Sequence, residues 1–325
     1  MALFGMRFDF RNPSFAGTTM TERYREGIAM AEWADSLGFI TLILSEHHGS
    51  PDGYLPSALP MAAAIAARTK NIGLRISAIV APLHDPLRLA EDAAVVDLIS
   101  GGRLDLILAN GYVADEFAMF GVPMNERARR TRIAIETLRA AWTGETFDHQ
   151  GRQARISPTP ERSNGPTLSL GGSSLKAAQR AARIADGFAP SLPEHWEWYR
   201  EERLALGHDD PGPHFAVSLG DFYLAEDVDQ GWNEVGKYFL HETNAYGKWM
   251  EEAGLPGMYQ VAKDVDEIRE RGMYRVLTPD EMVAEIDAAG PFAFVLFHPL
   301  LGGIPPESAW RALRLFEHDV LGRLA

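Results

Sequence analysis

The chain alternates between two hydrophobic periods. Short, nearly continuous apolar runs rich in β-branched and aromatic residues occur at 39–44, 72–80, 104–109, 167–170, 187–189 and 292–298, and 6–10 and 215–224 alternate apolar with polar residues. Runs of this length suit strands buried on both faces. Between them, apolar residues recur at helical spacing. Residues 21–37 carry Tyr24, Ile28, Ala31 and Ala34, with Thr21 as candidate N-cap and Gly38 as the stop. Further helices are predicted over 57–67, 86–100, 129–142, 175–185, 193–206, 278–289 and 307–321, and a surface hairpin over 147–156. Strand–helix units joined by short links require right-handed crossovers and a parallel sheet. Eight such strands favour a single (β/α)8 TIM barrel, one domain over residues 1–325, rather than an open doubly wound sheet. One connection breaks the rhythm. Residues 226–277 contain helical stretches at 231–246 and 265–271, and are expected to form a lid or substrate insertion at the C-terminal face of the strands.

Composition narrows the function classes. A formal charge of -14 opposes a nucleic acid or an anionic membrane as the main partner. It leaves a phosphate-bearing cofactor open, because helix N-termini bind anions locally. With no cysteine there is no disulfide, thiolate nucleophile or cysteine-ligated metal. The start MALFGMRFDF has no basic region followed by a long apolar core, and no apolar run reaches the length of a membrane span. The expectation is a soluble, cytoplasmic chain.

Chemistry concentrates where the second apolar run stops, at Ser45-Glu46-His47-His48. A buried strand that ends in two imidazoles and a carboxylate places titratable groups where barrels of this kind keep their active sites. Side chains alternate along a strand, so His47 and His48 cannot serve one purpose together. Read from the residues alone, each is either an acid–base group or a satisfied structural histidine at a rim. Glu46 could orient a ring or pair with a basic residue. A metal held by Glu46, His47 and His48 would need convergent ligands, and no HExxH spacing supports it; no metal is expected. A second candidate is Gly171-Gly172-Ser173-Ser174, between a strand and a helix. Glycines admit close backbone approach, and hydroxyls with unpaired N–H groups suit a phosphate. The ordinary helix cap is the competing reading. Gly302-Gly303, after the last strand, is a rival phosphate seat.

SEHH, then ARTKNIGL, APLHDP and RLAEDAAVVDLISGGRLDLILANGYVADEFAMFGV, continued by LGGSS, AAQRAARIADGF and LTPDEMVAEI, resemble the bacterial luciferase-like family of flavin-dependent monooxygenases. The likeness is close from about residue 3 to 187 and looser at the last strand; the insertion does not match in detail. It implies a homodimeric TIM barrel that binds reduced FMN at the strand C-termini and uses O2 to oxygenate a small, mainly apolar organic substrate. A separate flavin reductase commonly supplies the reduced cofactor. A sister branch carries hydride on a deazaflavin and is the alternative.

By that resemblance His47 is the catalytic histidine, with His48 a weaker candidate, and Ser173 and Ser174 with Gly171 and Gly172 hold the phosphate. A non-prolyl cis peptide falls at Ser77–Ala78, against the middle ring of the flavin. Asn110 stands where bacterial luciferase has a phosphate-binding arginine, and Ala109 where it has a cysteine. Some deazaflavin enzymes carry a glutamate near this strand end; its apparent lack leans towards FMN. His298, Trp249, Met250, Tyr259, Met273 and Tyr274 could line a substrate pocket, although packing of the insertion is the simpler role for its aromatics.

Overall fold

The computed structural model describes residues 2–255 and 259–324. Two compact units divide the chain. One comprises Met1–Ile43, His48–Pro56 and Val217–Ala325; the other comprises Leu44–His47 and Ser57–Ala216.

In the first unit the parallel strands run in the order Phe294–Phe297, Leu3–Phe8, Thr41–Leu44. Leu3 pairs with Phe294 and Met6 with Phe297. Phenylalanine rings lock this register. Phe4 lies 5.2 Å from Phe316 and 5.6 Å from Phe39, and Phe297 lies 4.8 Å from Phe316. Ring pairs at such spacings add to the burial of the rings themselves. The helix Met20–Ser36 begins at Thr19, whose hydroxyl accepts from Glu22 N while Glu22 returns to Thr19 N. This reciprocal cap occupies two groups that a helix start otherwise leaves unpaired. Thr21, the expected cap, sits inside the helix, because the box needs Glu three residues on and only Thr19 has it.

Arg23, on the same helix, is fully buried. Its guanidinium donates to the carbonyls of Leu300 (2.9 Å), Ile304 (3.0 Å) and Gly303 (3.2 Å). Burial draws its pKa down to about 10. The glycines of this turn are packed: a Cβ on Gly302 would meet Tyr238 O at 2.2 Å, and one on Gly303 would meet Pro13 at 2.4 Å. Gly302-Gly303 is therefore a closed protein–protein contact and not a rival phosphate seat.

The second unit carries four parallel strands, in the order Gly73–Val80, Leu104–Ala109, Thr167–Gly172, Gly187–Pro190. The expected hairpin is present as Phe147–His149 paired antiparallel with Arg152–Ala154. Gly171 and Gly172 are strand residues paired with Ala189 and Pro190, so the predicted loop is shorter than its glycines suggested.

The largest departure lies at the expected seventh strand. Only Phe222–Leu224 is extended, and it pairs with Arg275–Leu277, a strand hidden inside the expected insertion. Earlier in that run, Leu219 makes a single parallel bridge to Val295. A closed ring of eight strands is thus not among the pairings of the described residues, which hold three parallel strands and a separate parallel pair in one unit and four parallel strands in the other. The insertion itself contains the 25-residue helix Val228–Glu252 and the helix Val265–Arg271. Residues 256–258 of it lie outside the described residues. No helix among the described residues is long and apolar enough to cross a membrane.

Phe10 adopts φ +59°, in the left-handed region where a non-glycine residue costs about 1–3 kcal/mol. The ring repays this by stacking on Tyr24 at 4.9 Å, fully buried. A Cβ on Gly27 would stand 2.5 Å from the Phe10 ring. Gly27→Val should therefore destabilise the protein by about 1–3 kcal/mol, measured as a lower urea midpoint at unchanged slope.

Candidate active site

The second unit gathers polar groups at the C-terminal ends of its parallel strands. In Gly73–Val80 the ladder slips between Ser77 and Ile79, leaving Ala78 without a counterpart. The Ser77–Ala78 peptide is cis, the conformation the resemblance implies at this position. The next strand ends at Ala109 and delivers Asn110, which is half-buried. The third ends at Gly172, followed by exposed Ser173 and Ser174. Ser174 caps the ten-residue helix Leu175–Ile184, its Oγ accepting from Ala177 N at 3.3 Å. A Cβ on Gly172 would meet the Ala177 Cβ at 2.4 Å, which accounts for that glycine by packing alone. Gly171 has no such excuse: its Cβ would make only ordinary contacts, the nearest at 3.5 Å. Ser77, Asn110 and Ser173 make no side-chain hydrogen bond to any described residue.

His47 is buried, and its Nδ1 lies 2.8 Å from Glu116 Oε1. Glu116 is 2% exposed. A carboxylate at Nδ1 assigns the N–H to that nitrogen. The Tyr112 ring meets the imidazole edge-on at 5.9 Å. Local sequence explains how Glu116 arrives there. Gly111 turns at φ +73°, where a Cβ would collide with Val80 Cγ1 at 2.7 Å and the Phe117 ring at 2.8 Å. The helix Ala114–Phe120 therefore folds back onto the preceding strand end, with Phe117 packed on Val80 and Leu83. Glu116 precedes Phe117 and is carried inward with it.

Glu46 faces elsewhere. Its Oε1 accepts from Val80 N at 3.2 Å and lies 2.9 Å from His84 Nε2. Burial pulls the His84 pKa down, but the hydrogen bond and charge of Glu46 outweigh it, and the net shift is upward from 6.5. Glu46 turns to His84 and His47 to Glu116, so His47 does not share a ligand set with Glu46. His48 is half-buried and falls in the other unit.

Sequence reading passed over Glu116 and His84. The signal for Glu116 was present: an acidic residue next to Phe117, on the side of a short helix that Val113 and Phe117 bury.

His298 lies in the first unit, 3% exposed, with Nε2 3.6 Å from Asp9 Oδ2 and Nδ1 4.0 Å from Glu242 Oε1. Most insertion aromatics pack on one another: Tyr246 stacks on Tyr259 at 4.7 Å and Phe239 on Tyr274 at 4.7 Å.

The Glu46–His84 pair has a defined pH dependence. A histidine pKa raised by folding contributes stability that is complete below the unfolded value of 6.5 and is lost as pH rises through the folded value. Glu46→Gln should therefore lower the melting temperature more at about pH 6 than at about pH 9. Equal losses at both would refute the pair.

Residues 4–293 match the family model described as luciferase-like monooxygenase. A 4-hydroxyprotoasukamycin monooxygenase from Streptomyces nodosus is 23% identical over 319 residues, 91% of this chain and 85% of that protein. The oxygenase component of a flavin-dependent trigonelline monooxygenase from Acinetobacter baylyi is 31% identical over 135 residues, 41% of this chain and 37% of that protein. Other curated relatives are likewise matched over 42% and 38% of their own lengths, so the chain spans about two-fifths of these relatives. Among solved structures, monooxygenase RslO1 from Streptomyces bottropensis superposes with a TM-score of 0.76 at 25% identity, over 99% of this chain and 100% of that one. With the family model matched over residues 4–293, the chain belongs to the luciferase-like monooxygenase family.

Proposed function

We propose that this chain is the oxygenating component of a flavin-dependent monooxygenase, and that reduced FMN binds along the strand ends of the second unit. The observation that carries this is the row Ser77, Asn110 and Ser173. These are three accessible or half-buried polar side chains on neighbouring parallel strands, none engaged within the described chain. Polar groups held at a strand edge without partners suit a ligand rich in hydrogen-bonding atoms.

The donor set fits the cofactor. Ser173, Ser174 and the first-turn N–H groups of Leu175–Ile184 would hold the phosphate, since a helix start has unpaired donors and a positive dipole end. Asn110 offers an amide where the family's arginine would offer charge, so more of the anchoring falls to that helix. Gly171 leaves room for backbone approach, and Ser77–Ala78 would back the ring. Reduced FMN, when bound, supplies the activation of O2 that no side chain can provide. His47 holds or releases a proton at Nε2 while Glu116 fixes its tautomer and stabilises the charged ring. A closed (β/α)8 barrel, a homodimer and a separate reductase, as the description of the Acinetobacter relative as an oxygenase component suggests, complete the reading.

Glu116 beside His47 supports a second reading, a deazaflavin-dependent hydride transfer on the same residues. Anaerobic titration of the purified protein with reduced FMN and with reduced deazaflavin separates the two: preferential binding of the deazaflavin would overturn the first. Under the first reading, His47→Gln should leave FMN affinity within about a factor of three while lowering single-turnover oxygenation about 10²–10⁴-fold. Ser174→Ala should instead weaken FMN binding and cost about 1 kcal/mol of stability through the lost cap. Equilibrium binding and chemical denaturation check the two effects.

A further inference from the structure

The first unit contains a cation without a counter-ion. Arg7 lies in the strand Leu3–Phe8 between buried Met6 and Phe8, yet keeps part of its own surface accessible. Its Nη2 donates to the Tyr246 hydroxyl at 3.2 Å, and the Tyr259 ring stacks on Tyr246 at 4.7 Å. No carboxylate among the described residues comes within ion-pair distance of it. Two nearby acids turn to Arg11: Asp52 takes Arg11 Nη1 at 2.5 Å and His241 Nε2 at 2.7 Å, and Asp9 accepts from Arg11 N at 3.0 Å. Glu242 is fully buried beside the Tyr274 hydroxyl, its Oε1 without a hydrogen-bond partner among the described residues, and burial raises its pKa.

Beside Arg7 is a second guanidinium with capacity to spare. Arg11 is fully buried; its Nη1 meets Asp52 and its Nε lies 3.6 Å from Asp9 Oδ2, while Nη2 has no hydrogen-bond acceptor among the described residues. It lies against the rings of Tyr54, Tyr246 and Trp249, 4.7, 4.9 and 4.9 Å from their centroids. Desolvated cations are ordinarily met by an anion, and a guanidinium fork matches an oxyanion in shape and charge. Tyrosine and tryptophan rings around the two arginines suit a flat apolar body attached to that oxyanion.

We infer that Arg7, with Tyr246 and Tyr259, forms a binding site for the oxyanion of a small, flat organic acid, a carboxylate or sulfonate. That this acid is the substrate rests on the monooxygenase reading; that it binds does not. The mainly apolar substrate expected from the family would then carry one anionic group.

The test uses the purified full-length chain without flavin, titrated calorimetrically with benzoate, benzenesulfonate and uncharged benzamide. At least one of the two acids should bind about ten- to a hundredfold more tightly than benzamide, the range expected of a hydrogen-bonded charge. Arg7→Gln should erase that preference and Arg7→Lys should retain part of it. Acids bound no better than benzamide by the wild type overturn the site whether or not the variants fold. So does a preference that survives in a folded Arg7→Gln. Reduced FMN is titrated into the same samples. Acid binding without FMN binding removes the flavin reading and leaves the anion site, and the converse removes the anion site alone.

Discussion

A charge taken out of water has to be met by an opposite charge or by aligned dipoles, and this chain is built around several that are. Arg23 is received by three carbonyls, Glu46 by His84 and a backbone N–H, Glu116 by His47, and Arg11 by Asp52. Each arrangement fixes a loop that apolar packing alone would leave undetermined. The carbonyls that hold Arg23 belong to the turn after one strand, and Glu46 anchors the residues after another to Val80. Replacing one partner leaves a buried charge uncompensated, which costs more than the pair is worth when intact. Polar placement at the strand ends is therefore constrained as strongly as the core beneath it.

This constraint separates the two faces of the chemistry. Where the chain satisfies its own charges, as at Glu46 and His84, the residues are occupied and the geometry is structural. Where it leaves polar atoms unengaged, as at Ser77, Asn110 and Ser173, the geometry awaits something else. At His47 the carboxylate of Glu116 holds Nδ1 and with it the orientation of the ring. Motif recognition by itself does not draw this distinction, because SEHH contains one histidine paired with a glutamate far along the chain and a glutamate paired with a different histidine.

Elements with strong local signals were legible in the sequence. The strands Gly73–Val80 and Leu104–Ala109 and the helix opened by Thr278-Pro279 fall where apolar runs, glycine stops and caps put them. The errors have physical causes. Residues 215–224 alternate well, but alternation reports a half-buried surface and not a partner; only Phe222–Leu224 found one, in the three-residue strand Arg275–Leu277, too short to stand out. Thr21 looked like a cap because it precedes the apolar stripe, while the deciding signal was Glu22 three positions after Thr19. At the site, His47 and the Ser77–Ala78 peptide were reached through family resemblance. Glu116 was not: its burial beside Phe117 could be read from the helix pattern, but its pairing with His47 depends on the turn at Gly111 bringing that helix back, which local spacing does not encode.

The first unit is assembled from both chain ends, and Arg23 ties the helix Met20–Ser36 to carbonyls some 280 positions later. During synthesis the early segments therefore leave the ribosome long before their packing surfaces exist. The central segment Ser57–Ala216, nearly contiguous, has no such wait. Order of emergence thus favours the segment Ser57–Ala216 folding first, while Arg23 waits for carbonyls some 280 positions further along.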